Sequence, residues 1–140
     1  MTRDELILST LAAAKSEMSP VQVQKALFLL ERKAQTLTKA PPFNFAPYDY
    51  GPFDQSIYDS LASLKQQGLV EIKDPTTKWR RYSLTPAGVE RGAAALAIEP
   101  AATKYVGELV AWVQRLSFTQ LVSAIYKEYP EMKANSVFRE

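Results

Sequence analysis

Leu61-Ala62-Ser63-Leu64-Lys65-Gln66-Gln67-Gly68-Leu69-Val70-Glu71-Ile72-Lys73, resumed at Arg81-Tyr82-Ser83-Leu84-Thr85-Pro86-Ala87-Gly88, is the stretch on which the reading of the fold turns. Leu61 and Leu64 continue a helical spacing begun at Ile57, and Gly68 stands where a helix ends on a left-handed residue. Beyond Gly68 the period changes to two. Leu69 to Lys73 predicts a strand, Asp74-Pro75-Thr76-Thr77 a turn, and Trp79 to Leu84 a returning strand. Thr85-Pro86 then opens another helix, with proline at the position where its missing N–H costs nothing.

Toward the N-terminus, Thr2-Arg3-Asp4-Glu5 and Ser19-Pro20-Val21-Gln22 are capping boxes that start two helices. The second is expected from about Pro20 to Thr36, on the spacing of Val23, Leu27, Leu30 and Ala34. Between Leu37 and Phe53, Pro41, Pro42, Pro47 and Pro52 forbid a continuous helix, while Phe43, Phe45, Tyr48 and Tyr50 alternate. This predicts an extended, aromatic-rich connection with room for one short strand. A third helix opens near Pro52 to Asp54, with Phe53, Ile57, Leu61 and Leu64 on one face. Toward the C-terminus, helices are expected over about Ala101 to Arg115 and, behind the box Ser117-Phe118-Thr119-Gln120, over Phe118 to Glu128.

Composition narrows the function. The 140 residues are 46% apolar, enough to bury a core as one domain over 1–140 without metal or disulfide. The chain has no cysteine and no histidine, which removes thiolate chemistry, the Ser-His and Cys-His pairs and the usual transition-metal ligands. No catalytic residue, cofactor or metal site is therefore assigned, and Asp49 with Asp54 lacks the companions that a carboxylate pair needs for catalysis. No apolar run approaches the ~20 residues of a membrane span, and Asp4-Glu5 stands where a secretion signal would be basic. The expectation is a soluble, cytoplasmic, non-enzymatic protein.

The order helix, helix, helix, strand, turn, strand, helix is that of a winged helix. The expected class is mainly α: a winged helix-turn-helix-like domain with one β-hairpin wing (1–98) and two additional C-terminal helices (99–140). Gly68-Leu69-Val70 and Tyr82-Ser83-Leu84-Thr85-Pro86-Ala87-Gly88 resemble the helix-to-wing and strand-to-helix steps of bacterial MarR- and PadR-type regulators. Over nearly the whole chain the sequence also resembles the Panacea, or SocA-like, antitoxin domain and the YwgA-like bacterial proteins. The likeness is carried by Val23-Gln24-Lys25-Ala26-Leu27-Phe28-Leu29-Leu30-Glu31 and by the aromatic approach to Tyr50-Gly51-Pro52, with Phe53 where a small aliphatic often follows Gly-Pro. Ile125-Tyr126-Lys127-Glu128-Tyr129-Pro130-Glu131 is similar to the YwgA-like tail. The resemblance implies a regulatory or interaction module without a catalytic centre, with a toxin or phage-defence component as its partner.

Two candidate surfaces follow. A connection of about fifteen residues stands where a helix-turn-helix has a short turn, and long loops in compact domains tend to be functional. Its outward set, Tyr48, Asp49 and Tyr50, with Gln55 and Asp59 behind it, is the expected partner-binding surface, while Phe43 and Phe45 anchor the segment. The alternative is that the rings only plug the core. The second surface is the wing: under the alternative function, a dimeric winged-helix DNA-binding transcription regulator, Lys73, Lys78, Trp79, Arg80 and Arg81 would hold DNA backbone. The third helix is poorly equipped for DNA, with Asp54 and Asp59 against Lys65. Tyr105, Trp112, Tyr126 and Tyr129 on the last two helices belong either to the core or to a homodimer surface.

Overall fold

A computed structural model describes residues 1–139. Among them are six α-helices: α1 (Arg3–Ala13), α2 (Pro20–Thr38), α3 (Gln55–Gln66), α4 (Pro86–Ile98), α5 (Pro100–Arg115) and α6 (Phe118–Glu128). Two antiparallel hairpins join them: β1 (Ala46–Tyr48) with β2 (Gly51–Phe53), and β3 (Val70–Lys73) with β4 (Arg81–Leu84). A short 3-10 turn, Pro130–Lys133, follows α6. The chain is mainly α. No helix among the described residues is long and apolar enough to cross a membrane.

The caps form as their spacing requires. Thr2 with Glu5, Ser19 with Gln22 and Ser117 with Gln120 each close a reciprocal capping box, and Thr85 accepts from the N–H of Gly88. Gly68 ends α3 at φ +78. Gly88 and Gly92 let α4 lie close beneath its neighbours: a Cβ on Gly88 would stand 2.0 Å from the Leu69 carbonyl oxygen, and one on Gly92 2.8 Å from that of Leu8. One apolar cluster joins α1, α2, α3, β3, α5 and α6, from Leu6 to Phe138. The last two helices contribute to this core: Val106, Val110 and Val113 of α5 and Val122 of α6 are wholly buried. Of the four rings on the last two helices that belong either to the core or to a homodimer surface, Tyr126 is buried and Tyr105, Trp112 and Tyr129 are half-buried.

Three expectations are corrected. The aromatic connection is a second hairpin, with Asp49-Tyr50 as its turn and Gly51 at φ +102, a conformation that favours glycine. Pro47 pairs with Pro52, so the two missing N–H donors fall at one register position and the ladder survives them. Phe53 belongs to β2 and not to the third helix, because Asp54 is the extended N-cap and the helix starts at Gln55. The returning strand begins at Arg81, two residues later than expected. Asp74 is left-handed at φ +51 and Thr77 bonds back to its carbonyl, which takes Trp79 and Arg80 out of the ladder.

Met18, between α1 and α2, bridges β4: its N–H and carbonyl each bond Tyr82 at 2.9 Å. The β3–β4 hairpin thus has a third partner on its Tyr82 side.

Candidate partner-binding site at the aromatic hairpin

The β1–β2 hairpin is held from two sides. From α2, Gln24 makes a reciprocal pair with the backbone of Asp54, donating to its carbonyl at 2.9 Å and accepting its N–H at 3.0 Å. The next residue, Lys25, donates from Nζ to the Pro52 carbonyl at 3.2 Å. From the C-terminal tail, the Val137 N–H and the Ser136 hydroxyl both donate to the Asp49 carbonyl, and Asn135 Nδ2 donates to that of Pro47. Tyr126 donates its hydroxyl to Ser136 at 2.6 Å. The approach to the hairpin is fixed by Glu31, which accepts the Phe43 N–H, and by Asp54, which accepts the N–H groups of Asn44 and Ser56. Burial acts against the Asp54 carboxylate, but those two donors outweigh it and hold its pKa below the usual value.

Clamped this way, the connection sorts its rings. Phe43 is buried and Phe45 half-buried, the latter edge-on to Phe28 of α2 at 5.4 Å. Tyr48 and Tyr50 stay 55% and 42% exposed. Tyr48 lies on Phe53 at 4.8 Å, and Phe53 meets Tyr58. Tyr50 meets Phe118, itself 43% exposed, at 5.2 Å, and Phe118 meets Phe138. Both tyrosines line a cavity of about 200 Å³, together with Val21, Gln24, Lys25, Asp49, Gly51, Phe53 and Tyr58. Lys25 is 4% exposed, and burial pushes its pKa from 10.5 down to about 8.

The residues grouped from sequence do not all meet here. Tyr48, Asp49 and Tyr50 share the cavity, but Gln55 lines a separate groove of about 610 Å³ between α3 and the second hairpin, with Tyr58, Lys65, Ile72, Arg80 and Tyr82. Asp59 lines neither; it accepts a hydrogen bond from Gln55. The helical rise carries them off: both sit on the solvent side of α3, opposite Ile57, Leu61 and Leu64.

The basic residues of the second hairpin also divide. Lys73, Lys78 and Trp79 are exposed. Arg80 is folded inward, donating from Nε to the Tyr82 hydroxyl at 2.6 Å with its guanidinium 4.7 Å over the Tyr58 ring. Arg81 donates to the carbonyls of Trp79 and Arg80. Burial, with Tyr82 beside it, pushes the Tyr58 hydroxyl up to about 12, against the pull of Arg80. Because Asp54 is buried as the cap of α3, the charges left on the outer face of that helix are Asp59 and Lys65, which balance.

Lys25, Tyr58, Phe118 and Ser136 stand in no sequence pattern that marks a site. The one signal for Lys25 was a polar pair, Gln24-Lys25, inside a run from Val23 to Leu30 in which every residue is buried. Among the described residues no three acidic side chains converge as a metal site would require. Comparison of the chain with protein-family models, curated proteins and solved structures finds no match.

Proposed function

We propose that this chain is a non-enzymatic interaction module of the Panacea/YwgA-like kind, acting in the cytoplasm and binding a protein partner, a toxin or defence component, through the β1–β2 hairpin. The observation that carries the reading is the pair of exposed rings, Tyr48 and Tyr50, on an element already clamped by α2 and by the C-terminal tail. Aromatic anchors that are ordered beforehand lose little freedom on association, which is what binding hot spots require. The finer fold reading is a winged helix. It is supported by the order α1, α2, α3, β3, β4, α4 and by the Met18 bridge, which supplies an extra strand position beside the wing.

A second reading, DNA backbone held by the β3–β4 wing, is favoured by exposed Lys73, Lys78 and Trp79 beside the groove that Lys65 lines. It is weakened by Arg80 and Arg81, each of which already commits guanidinium donors to acceptors within the hairpin. One experiment separates the two. A photo-crosslinking phenylalanine analogue is placed at Tyr50 in one full-length chain and at Lys78 in another, each expressed in its native cells. The proposal expects a discrete protein adduct from position 50. A nucleic-acid adduct from position 78 with none from position 50 would transfer the function to the wing.

A further inference from the structure

We propose that the cavity beneath the β1–β2 hairpin seats one acidic side chain of the protein partner, with the Lys25 ammonium as its counter-charge. This rests on the hairpin being the partner surface and names the chemistry recognised there. The Nζ of Lys25 is bonded to the Pro52 carbonyl. An ammonium carries three donors, and buried charges are as a rule paired. No carboxylate of the described residues lies within ion-pair distance of Lys25; the four bridges present involve Arg32, Lys33, Lys39 and Lys104. Holding this charge out of water is costly, as its lowered pKa records, and an incoming carboxylate would offset that cost.

Size and lining narrow the occupant. About 200 Å³ is below the ~300–1,000 Å³ of sites for drug-sized ligands, and suits a single side chain. Val21 and Phe53 offer apolar wall for a side-chain stem, and Tyr48 and Tyr50 are the exposed rings at the opening. Asp49 is the one carboxylate on the lining, and it is exposed. Asp49 repels any anion that enters, and repels a phosphate or a run of acidic residues more than it does a single carboxylate reaching down to Lys25.

The test uses the ¹⁵N-labelled full chain titrated with N-acetyl-glutamate amide, with its neutral isostere N-acetyl-glutamine amide, and with inorganic phosphate. Saturable shifts of the Lys25, Tyr50 and Gly51 amides are expected with the glutamate probe at roughly millimolar concentration, and binding of the other two at least about tenfold weaker. Lys25→Met, which keeps the stem and removes the charge, should abolish the shifts. Equal binding of the glutamate and glutamine probes to the wild type would overturn the inference without recourse to any variant, as would tighter binding of phosphate. The crosslink from position 50 keeps the two claims apart. If it persists while the glutamate probe fails to seat, the partner surface stands and the acidic seat falls. If the wild-type crosslink is absent, the underlying reading fails first.

Discussion

Replacing Lys25 by methionine should remove a pH dependence that burial of its charge imposes on the whole fold. In the folded chain the Lys25 pKa lies at about 8, against 10.5 for the unperturbed group. Below about pH 8 the amine is charged in both states and the full burial penalty is in force; the pKa difference puts it at about 3 kcal/mol. Between the two pKa values the unfolded chain binds more protons than the folded one, so stability rises with pH. From about pH 7 to about pH 10 the wild type should gain roughly 2–3 kcal/mol from this group. Urea unfolding of wild type and Lys25→Met at four pH values across that window isolates the effect, because all other titrations cancel in the difference. The series stops near pH 10. Above it the Tyr58 hydroxyl, held up at about 12 when folded, lowers the stability of both chains as its unfolded counterpart ionises. Stability curves that run parallel for the two chains would refute the claim that Lys25 carries a buried charge.

Gly88→Ala would press a Cβ to 2.0 Å from the Leu69 carbonyl oxygen, a backbone atom that cannot swing aside, and should cost at least about 3 kcal/mol or prevent folding. Gly107→Ala meets nothing within 4 Å and should raise stability by about 0.5–1 kcal/mol; thermal melts of the two variants test the contrast. Phe43→Ala should destabilise by about 3 kcal/mol, whereas Tyr50→Ala should leave denaturant midpoints nearly unchanged while removing the partner crosslink placed at Tyr48. Asp54→Ala should cost about 1–2 kcal/mol as a lost cap. Because the folded Asp54 pKa is depressed, its contribution is present above the usual carboxyl value and lost as pH falls through the folded one. Acid titration of stability should therefore be shallower in the variant.

What the sequence alone determined is the set of features whose physics is local. A capping box joins residues three apart, a C-terminal glycine acts on the turn before it, and a change of period from helix to strand is complete within a few residues. The starts of α1, α2, α4 and α6 and the end of α3 were legible for that reason, as was the alternation that buries Phe43 and exposes Tyr48. The tertiary structure decided whatever depends on a single contact between distant segments, which leaves no periodicity to read. Met18 reaches Tyr82, Lys25 reaches Pro52, and the tail at Asn135 to Val137 reaches back to Pro47 and Asp49. Each is one or two hydrogen bonds made by a group that would serve equally well in water. The fate of Arg80 shows the difference. In sequence it is one cation among several on a wing. Only the placement of the Tyr58 and Tyr82 rings turns it inward and leaves Lys73 and Lys78 facing solvent. Lys25 is the converse case: a lysine reads as surface until the close packing of α2 against the hairpin takes water away from its charge.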